Sequence, residues 1–157
     1  MSRPIPAGQE GLIPHLVCDR CADAIEFYKK AFGAEEICRM PAPNGNKIMH
    51  AAIRIGDSTV FLADDFPEFC EGKSQSPKAL GGTPVTIHRY VEDCDAAIKR
   101  AQDAGATVKM PPQDMFWGDR YGVVTDPSGH SWSIATHVRD LTPEQIDKGM
   151  QESFAQA

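Results

Sequence analysis

The sequence predicts an α+β fold built from two βαβββ modules, on the basis of an internal repeat and a repeated order of elements. Cys21-Ala-Asp-Ala-Ile25 resembles Cys94-Asp-Ala-Ala-Ile98, and Gly33-Ala34 matches Gly105-Ala106, at offsets of 73 and 72 residues. Each match is weak alone, but matches in the same order at a nearly constant offset indicate a duplicated unit. Two copies of this size suit a pair of modules better than a solenoid, which needs more repeats.

The first module is predicted over residues 12–66. Leu12–Cys18 is an apolar run bounded by turn residues, which is typical of a strand. A helix follows, with apolar residues at helical spacing, Asp19 as its N-cap and Gly33 just past its end. Three more strands and two turns complete the module: strands at Glu35–Met40, Lys47–Ile55 and Ser58–Ala63, and turns at Asn44-Gly45 and Gly56-Asp57.

The second module is predicted over residues 84–137 with the same layout. Pro84–Val91 predicts its first strand, and a helix begins after Asp93 as N-cap and ends near Gly105. Asp126-Pro-Ser-Gly129 has the chemistry of a hairpin turn, with proline where its fixed φ is wanted. The remaining predicted strands are Thr107–Met110, Tyr121–Thr125 and Ser131–Thr136.

The segments outside the modules are predicted to be a linker and a helical tail. Residues 67–83 are rich in polar residues, Gly and Pro, as linkers are. In the tail, residues 138–157, Thr142-Pro-Glu-Gln145 has the N-cap, N1 proline and N3 glutamine of a capping box. Ile146 and Met150 on that helix predict docking on the body or on a partner chain. The whole chain, residues 1–157, is predicted to form a single domain.

Composition and charge exclude several classes of protein. The 157 residues are 41% hydrophobic and 24% charged, which is typical of a globular chain and excludes a disordered or collagen-like one. With 16 Lys+Arg against 22 Asp+Glu, the formal charge is −6, and nucleic acid is a poor candidate partner. The absence of a signal-peptide pattern or a long apolar run predicts no membrane partner. Five cysteines, an odd number, suit reduced thiols and predict a cytoplasmic protein.

One loop concentrates the residue types that bind small organic molecules. In Phe116-Trp-Gly-Asp-Arg-Tyr-Gly122, Trp117 and Tyr121 offer flat apolar faces with a polar edge, and Arg120 offers a planar fork for a carboxylate or another oxyanion. The alternative is that Trp117 packs at a rim of the fold and Arg120 pairs with Asp119 or Asp126.

A second candidate motif is Cys18-Asp-Arg-Cys21, which has the spacing of a redox dithiol at a strand-to-helix junction. Its repeat counterpart at Cys94 lacks a second thiol, so small buried side chains are the favoured interpretation. His130 and His137 flank the last predicted strand and are interpreted as turn and edge residues.

Several longer segments together resemble one family. They are Ala24-Ile-Glu-Phe-Tyr-Lys-Lys-Ala-Phe-Gly-Ala34, Arg54-Ile-Gly-Asp-Ser58, Tyr90-Val-Glu-Asp93, Trp117-Gly-Asp-Arg-Tyr-Gly122 and Asp126-Pro-Ser-Gly-His130. With these segments the chain resembles the vicinal oxygen chelate superfamily, also called the glyoxalase/bleomycin resistance/dioxygenase superfamily, and within it the PhnB-like branch. The resemblance implies that each module curls into a half-barrel with a site in its concave face. It does not imply a particular reaction, because fold does not determine function.

The resemblance also implies where a metal would lie. Family metalloenzymes hold a divalent ion with four side chains, usually His and Glu, and the equivalent positions here are Ile13, Phe61, Thr86 and Ser133. Ile and Phe have no donor atom and Ser rarely ligates, so we expect no metal at that site. His15 and His88 lie two residues beyond Ile13 and Thr86 on the same strand faces. They are interpreted as polar groups of the cavity, and a shifted metal site built from them with His50 is the alternative.

The predicted function is therefore binding of a small organic ligand in a half-barrel cleft, without metal or other cofactor, by a homodimer. One alternative is a metal-dependent lyase, isomerase or dioxygenase with a rearranged histidine site. Another is a non-catalytic assembly protein whose cleft is filled by its own side chains. The sequence does not decide whether the protein is an enzyme. The candidate ligand-binding residues are His15, His50, Phe61, His88, Trp117, Arg120, Tyr121 and Ser133.

Overall fold

The computed structural model of the protein describes residues 3–43 and 45–157, which divide into two compact units. The first contains the chain up to Pro84 together with Pro127–His130, and the second contains Val85–Asp126 and Ser131–Ala157. Each unit holds one four-stranded mixed sheet and its helices, which confirms the predicted α+β fold of two βαβββ modules.

The first unit places a helix after its first strand and adds a short helix in the predicted linker. Its elements are β1 (His15–Cys18), α1 (Cys21–Phe32), β2 (Glu35–Pro41), β3 (Ile48–Ile55), β4 (Ser58–Asp64), a 3₁₀ turn (Pro67–Phe69) and α2 (Pro77–Leu80). The strand order is β1-β4-β3-β2. β1 and β4 are parallel, and the other neighbours are antiparallel.

The second unit repeats this arrangement and ends in a helix. Its elements are β5 (Thr86–Tyr90), α3 (Cys94–Asp103), β6 (Thr107–Asp114), β7 (Asp119–Thr125), β8 (Ser131–His137) and α4 (Pro143–Ala155). The strand order β5-β8-β7-β6 is the order of the first sheet, again with only the first pair parallel. The sequence repeat therefore corresponds to a repeated topology.

Each sheet buries one face against its helix and leaves the other face more accessible. In the first unit Ile53 and Leu62 are fully buried, as is Ile25 of α1. In the second unit Val124 is fully buried, and Ile98 of α3 is nearly so. Because side chains alternate along a strand, the residues between these core positions lie on the opposite side, which we call the open face of each sheet.

The largest differences from the predicted strand ends are at the start of β1 and the end of β6, and proline is involved in both. β1 begins at His15 instead of Leu12, which is fully exposed, and Pro14 has no N–H to give to a ladder. β6 continues past its predicted end at Met110, through Pro111-Pro112. Its register with β7 shifts around these prolines, and such irregular pairing tolerates residues that cannot donate a ladder hydrogen bond.

The predicted turns carry backbone conformations that require glycine. Gly56 has φ 58° where β3 turns into β4, and Gly129 has φ 96° between β7 and β8. Both lie in the left-handed region, which only glycine occupies at little cost. The third predicted turn includes Asn44, which lies outside the described residues.

Three helix-end signals read from local sequence are confirmed. The Asp93 carboxylate accepts a hydrogen bond from the Ala96 N–H at 2.9 Å, as an N-cap does. Gly33 follows α1 in the left-handed conformation with φ 67°. Thr142 and Gln145 form both hydrogen bonds of the capping box at the start of α4.

The predicted N-cap of α1 is wrong. The Asp19 carboxylate pairs with Lys78 at 3.0 Å and forms no cap. The first N–H of the helix, from Cys21, instead donates to the Asp64 carboxylate at 2.8 Å. The other oxygen of Asp64 accepts from the Ile48 N–H at 2.6 Å. A buried carboxylate at the end of β4 therefore replaces the local cap.

The tail helix α4 is weakly docked. Ile146 is half-buried, whereas Met150 and Phe154 are 39% and 74% exposed. The apolar side of this helix is thus only partly covered by its own unit, which leaves docking on a partner chain as a prediction. Within residues 3–43 and 45–157, no helix combines the length and apolarity that a membrane crossing requires.

Candidate functional site

The open face of the second sheet brings together four of the candidate residues. His88 lies opposite Ser133 in the parallel ladder, and Tyr121 lies beside Ala135. The His88 Nδ1 atom is 2.7 Å from the Ser133 hydroxyl oxygen, so this hydrogen bond orients the imidazole. Trp117, in the loop before β7, contacts the Tyr121 ring edge-to-face at a centroid distance of 5.5 Å. The structure thus groups His88, Ser133, Tyr121 and Trp117.

Four rings form a continuous surface there, which we call the ring face: His88, Tyr90, Trp117 and Tyr121. His88 lies 4.7 Å from Tyr90 edge-to-face and is stacked 6.1 Å from Tyr121 at 17°. Neither His88 Nε2 nor the Tyr121 hydroxyl has a hydrogen-bond partner in the part of the chain that the structure describes. The ring face therefore combines flat apolar area with polar atoms that are available to a ligand.

One buried carboxylate holds the edge of the ring face. Asp119 is 3% exposed and accepts hydrogen bonds from the Tyr90 hydroxyl at 2.8 Å and the Trp117 indole N–H at 3.1 Å. His137 Nδ1 lies 2.9 Å from the other carboxylate oxygen. Burial alone raises the pKa of Asp119, but these three hydrogen bonds outweigh burial and hold it below its usual value.

His137 links this carboxylate to the start of the tail. Its Nε2 atom is 2.9 Å from the Asp140 carboxylate, and its Nδ1 atom faces Asp119. The hydrogen bond with Asp140, followed by the one with Asp119, raises the pKa of His137. With both nitrogens engaged, the imidazole has no free atom to act as a base, so its role is to connect two carboxylates.

Arg120 does not join the ring face, because strand alternation places it on the side that faces α3. Its guanidinium donates two hydrogen bonds to Asp95 of α3, at 2.6 and 2.9 Å, and one to Asp114 at 3.3 Å. These are not the partners suggested by the sequence, Asp119 and Asp126. An incoming oxyanion would have to displace two carboxylates, so the predicted anion fork is already occupied.

The other three candidate residues cluster on the open face of the first sheet. His15 lies opposite Phe61 in the β1–β4 ladder, and His50 is 4.8 Å from the Phe61 ring. All three rings are nearly perpendicular to one another. No described residue forms a hydrogen bond with either imidazole. We call this group the imidazole–phenyl cluster, and Phe61 forms its apolar wall.

The donor set does not fit the divalent metal that the family resemblance implies. Ile13 precedes β1, Phe61 carries no donor, and Thr86 gives its hydroxyl to Ser131 at 3.1 Å. Ser133 is engaged with His88. Among residues 3–43 and 45–157, no three His, Cys, Asp or Glu side chains converge as a metal site requires.

The Cys18–Cys21 pair lies in the core of the first unit. Both side chains have no exposed surface, and neither sulfur forms a disulfide. In the second unit, burial raises the pKa of Cys94 to about 11. Reactive cysteines need an accessible, readily ionised thiol, so these three are packing residues.

The second unit also contains a polar pocket of about 480 Å³ between α4 and the loop after β6. Its lining includes no residue of the ring face. The charges on its walls are mixed, and Lys148 and Glu152 lie 3.9 Å apart and partly neutralise each other. The residues that line it are Asp114, Met115, Phe116, Arg139, Leu141, Gln145, Lys148, Gly149, Glu152, Ser153 and Gln156.

Sequence reasoning missed three residues of this site: Tyr90, Asp119 and His137. The signal was available in the strand period. Tyr90 lies two residues beyond His88, and Asp119 lies two residues before Tyr121, so each shares a face with a candidate. His137 lies opposite Asp119 in the β7–β8 ladder. What the sequence could not show is that the Asp119 carboxylate forms hydrogen bonds with Tyr90, Trp117 and His137 together.

The repeated βαβββ unit, with the same strand order in both sheets and one accessible face on each, places the protein in the class of duplicated βαβββ folds. The sequence model of one family, the Glyoxalase/Bleomycin resistance protein/Dioxygenase superfamily, matches residues 12–134. The chain therefore belongs to this superfamily, as the sequence segments predicted.

Relatives match most of the chain, one in sequence and two as solved structures. An uncharacterized protein of Mycobacterium bovis is 54% identical over 142 residues, which are 90% of this chain and 93% of that protein. The crystal structure of TioX from Micromonospora sp. ML1 is 27% identical, with a TM-score of 0.60, and covers 82% of this chain and 100% of TioX. The fosfomycin resistance protein FosX of Listeria monocytogenes, solved with Mn(II), is 17% identical with a TM-score of 0.62. That match covers 87% of this chain and 96% of FosX, and at this identity it shows the fold alone.

Proposed function

We propose that this superfamily member binds a small planar organic molecule on the ring face of the second unit. The observation that carries the proposal is the grouping of four contacting rings around two polar atoms that form no hydrogen bond with the described residues. A planar ligand stacked on Trp117 and Tyr121 would gain aromatic contact, and His88 Nε2 and the Tyr121 hydroxyl would fix its orientation.

The charges around the ring face favour a neutral or cationic ligand over an anion. The charged group in contact with the rings is the Asp119 carboxylate, whereas the Arg120 guanidinium lies on the α3 side. A cation over an aromatic face is also attracted by the ring quadrupole. We therefore expect a planar ligand without net negative charge, instead of the oxyanion that the sequence suggested for Arg120.

Two matched dyes test this proposal. Proflavine and 9-anthracenecarboxylate each contain three fused planar rings and carry opposite charges at neutral pH. We expect proflavine to bind and the carboxylate to bind more weakly, as measured by fluorescence titration. Trp117→Ala and Tyr121→Ala should each weaken proflavine binding by roughly 2- to 13-fold, because each removes one ring contact.

Phe154→Ala is the control, because it removes an exposed ring of the same unit that lies outside the ring face. It should leave binding unchanged. If neither dye binds the parent protein, or if all three variants bind like the parent while folded, the ring face is not a binding site. Tighter binding of the carboxylate would overturn the charge argument alone.

We further infer that the protein is a metal-independent, bleomycin-resistance-like member of the PhnB-like branch. Supporting this are the segment Ala24–Ala34 and the four equivalent positions, of which Ile13 and Phe61 have no donor atom and Thr86 and Ser133 have hydroxyls already engaged with other side chains. A metal-dependent lyase, isomerase or dioxygenase would need donors that these positions do not offer.

We also propose a cytoplasmic homodimer. The exposed apolar residues of edge strand β2, Ile37 and Met40, together with Met150 and Phe154 of α4, favour a partner chain. Light scattering at micromolar concentration should give twice the 17.2 kDa chain mass. A monomer mass would reject the dimer without affecting the ring-face proposal.

A further inference from the structure

The bonding of Asp119 differs from that of the other buried carboxylate described above. Asp64 is 8% exposed and accepts hydrogen bonds from two backbone N–H groups, so it fixes the position of the backbone. Asp119 is 3% exposed, and the three donors that reach its carboxylate are side chains. They come from β5, from the loop before β7 and from the end of β8. The carboxylate therefore fixes side-chain orientation at a place where three segments meet.

Two of these three donors carry rings of the ring face. The Tyr90 hydroxyl and the Trp117 indole N–H both donate to the same oxygen, Oδ2. A hydrogen bond at the edge of a ring limits rotation of that ring about its side-chain bonds. Both rings are partly accessible to solvent and are not packed in the core. Without this anchor each ring could turn, and a ligand would have to order both rings when it binds.

We propose that Asp119 is a positioning residue: its carboxylate orients Trp117 and Tyr90 so that their faces are presented to a planar ligand. This inference rests on the proposed function, since it assigns a role within the same site. His137 completes the arrangement by donating to Oδ1, which leaves Oδ2 to the two ring donors.

The central experiment compares Asp119→Ala with Asp119→Asn. The alanine variant removes the acceptor and should weaken proflavine binding by roughly 5- to 150-fold, because two side chains must then be ordered on binding. The asparagine variant can turn its carbonyl oxygen toward Tyr90 and Trp117, and its amide can donate to His137 Nδ1 when that nitrogen carries no proton. It should therefore retain more proflavine affinity than the alanine variant, because it loses the charge but keeps the acceptor for both rings; a role of the negative charge alone would make the two variants equal.

Asp126→Ala is the matched control. Asp126 is also buried and accepts the indole N–H of Trp132 at 3.0 Å, but Trp132 lies on the side of the sheet that faces α3. This variant should lose stability yet retain proflavine affinity. Equal affinities for Asp119→Ala and Asp126→Ala would overturn the proposal. If Asp119→Ala does not fold, Asp119→Thr takes its place, since threonine is compatible with a strand and its hydroxyl cannot satisfy three donors.

A second measurement needs no ligand. The chain has two tryptophans, so Trp132→Phe leaves Trp117 as the only indole. In that background, Asp119→Ala should lower the fluorescence anisotropy of Trp117 and increase its quenching by acrylamide, and Asp119→Asn should do neither. Unchanged anisotropy and quenching in Asp119→Ala would reject the positioning role. If proflavine does not bind the parent, the proposed function fails, and this measurement still decides whether Asp119 orients Trp117.

Discussion

In the first unit His15 lies opposite Phe61 in the parallel ladder, and in the second unit His88 takes the same place opposite Ser133. Around His15 the neighbours are aromatic edges, and its nitrogens form no hydrogen bond with the described residues. Around His88 a hydroxyl orients the imidazole. The comparison teaches that a duplicated backbone supplies equivalent positions, while the side chain opposite each histidine decides whether its ring is held by packing or by hydrogen bonds.

The two units also use their buried carboxylates differently. Asp64 replaces a local helix cap and joins α1 to β3 through backbone N–H groups. Asp119 collects side-chain donors on the open face. Asp64 therefore stabilises the fold of its unit, whereas Asp119 orients side chains on an accessible surface. A substitution at Asp64 should mainly lower stability, and one at Asp119 should mainly weaken binding.

The largest expected effect is on the first of these carboxylates. Asp64→Ala would leave two buried N–H groups without acceptors, which should lower the free energy of unfolding by about 2–6 kcal/mol. Asp19→Ala, at the position that sequence alone predicts as the cap, should change it by less than about 0.5 kcal/mol. Urea unfolding measures both. Comparable losses at the two positions would contradict the assignment of Asp64 as the cap.

Exchanging the residues opposite the two histidines tests the comparison itself. Ser133 is 3% exposed, so Ser133→Phe should overpack the sheet and break the bond to His88, at a cost of about 2–4 kcal/mol. Phe61→Ser removes a half-buried ring and should cost about 1–2 kcal/mol, less than the loss of a fully buried one. Thermal unfolding of both variants checks this order. The reverse order would mean that the imidazole–phenyl cluster stabilises its unit more than the His88–Ser133 pair does.

A smaller effect should appear in the pH dependence of stability. The pKa of His137 is raised in the folded state, so its protonated form contributes stability that is fully present below its unfolded pKa of about 6.5. That contribution disappears as pH rises through the folded pKa. The stability difference between the parent and His137→Gln, measured by urea unfolding, should therefore fall as pH increases above about 6.5. A difference that grows with pH would contradict the bridge between Asp119 and Asp140.

The smallest expected effect concerns metal. Tag-free protein, dialysed against a chelator and then offered Zn²⁺, Ni²⁺, Mn²⁺ or Fe²⁺, should retain no tightly bound ion. Two imidazoles without a carboxylate leave most coordination positions to water. One equivalent per chain that is lost in His15→Ala or His88→Ala would restore the metal-dependent alternative. Loss in only one of the two variants would show which open face holds the ion.

Local chemistry predicted most of the fold, and long-range pairing accounts for what was missed. Gly33, Asp93 and the Thr142–Gln145 box act on backbone within a few residues, so sequence proximity was sufficient. The cap of α1 comes from Asp64, 43 residues away along the chain, and no local pattern points to it. At the site, the sequence identifies the ring types in the segment 116–122, whose second half lies in β7, but strand period is needed to separate Arg120 from Tyr121, its neighbour in sequence.

The hairpin turn between β7 and β8 has a consequence for how the chain can be made and divided. Although it is encoded within the second repeat, Pro127–His130 belongs to the first compact unit. His130 Nε2 lies 2.7 Å from the Val17 carbonyl oxygen, and a Cβ at Gly129 would be 3.0 Å from Pro77. A fragment that stops at Pro84 would lack these partners. During synthesis, the amino-terminal half therefore has to wait until residue 130 has left the ribosome before its own contacts are complete.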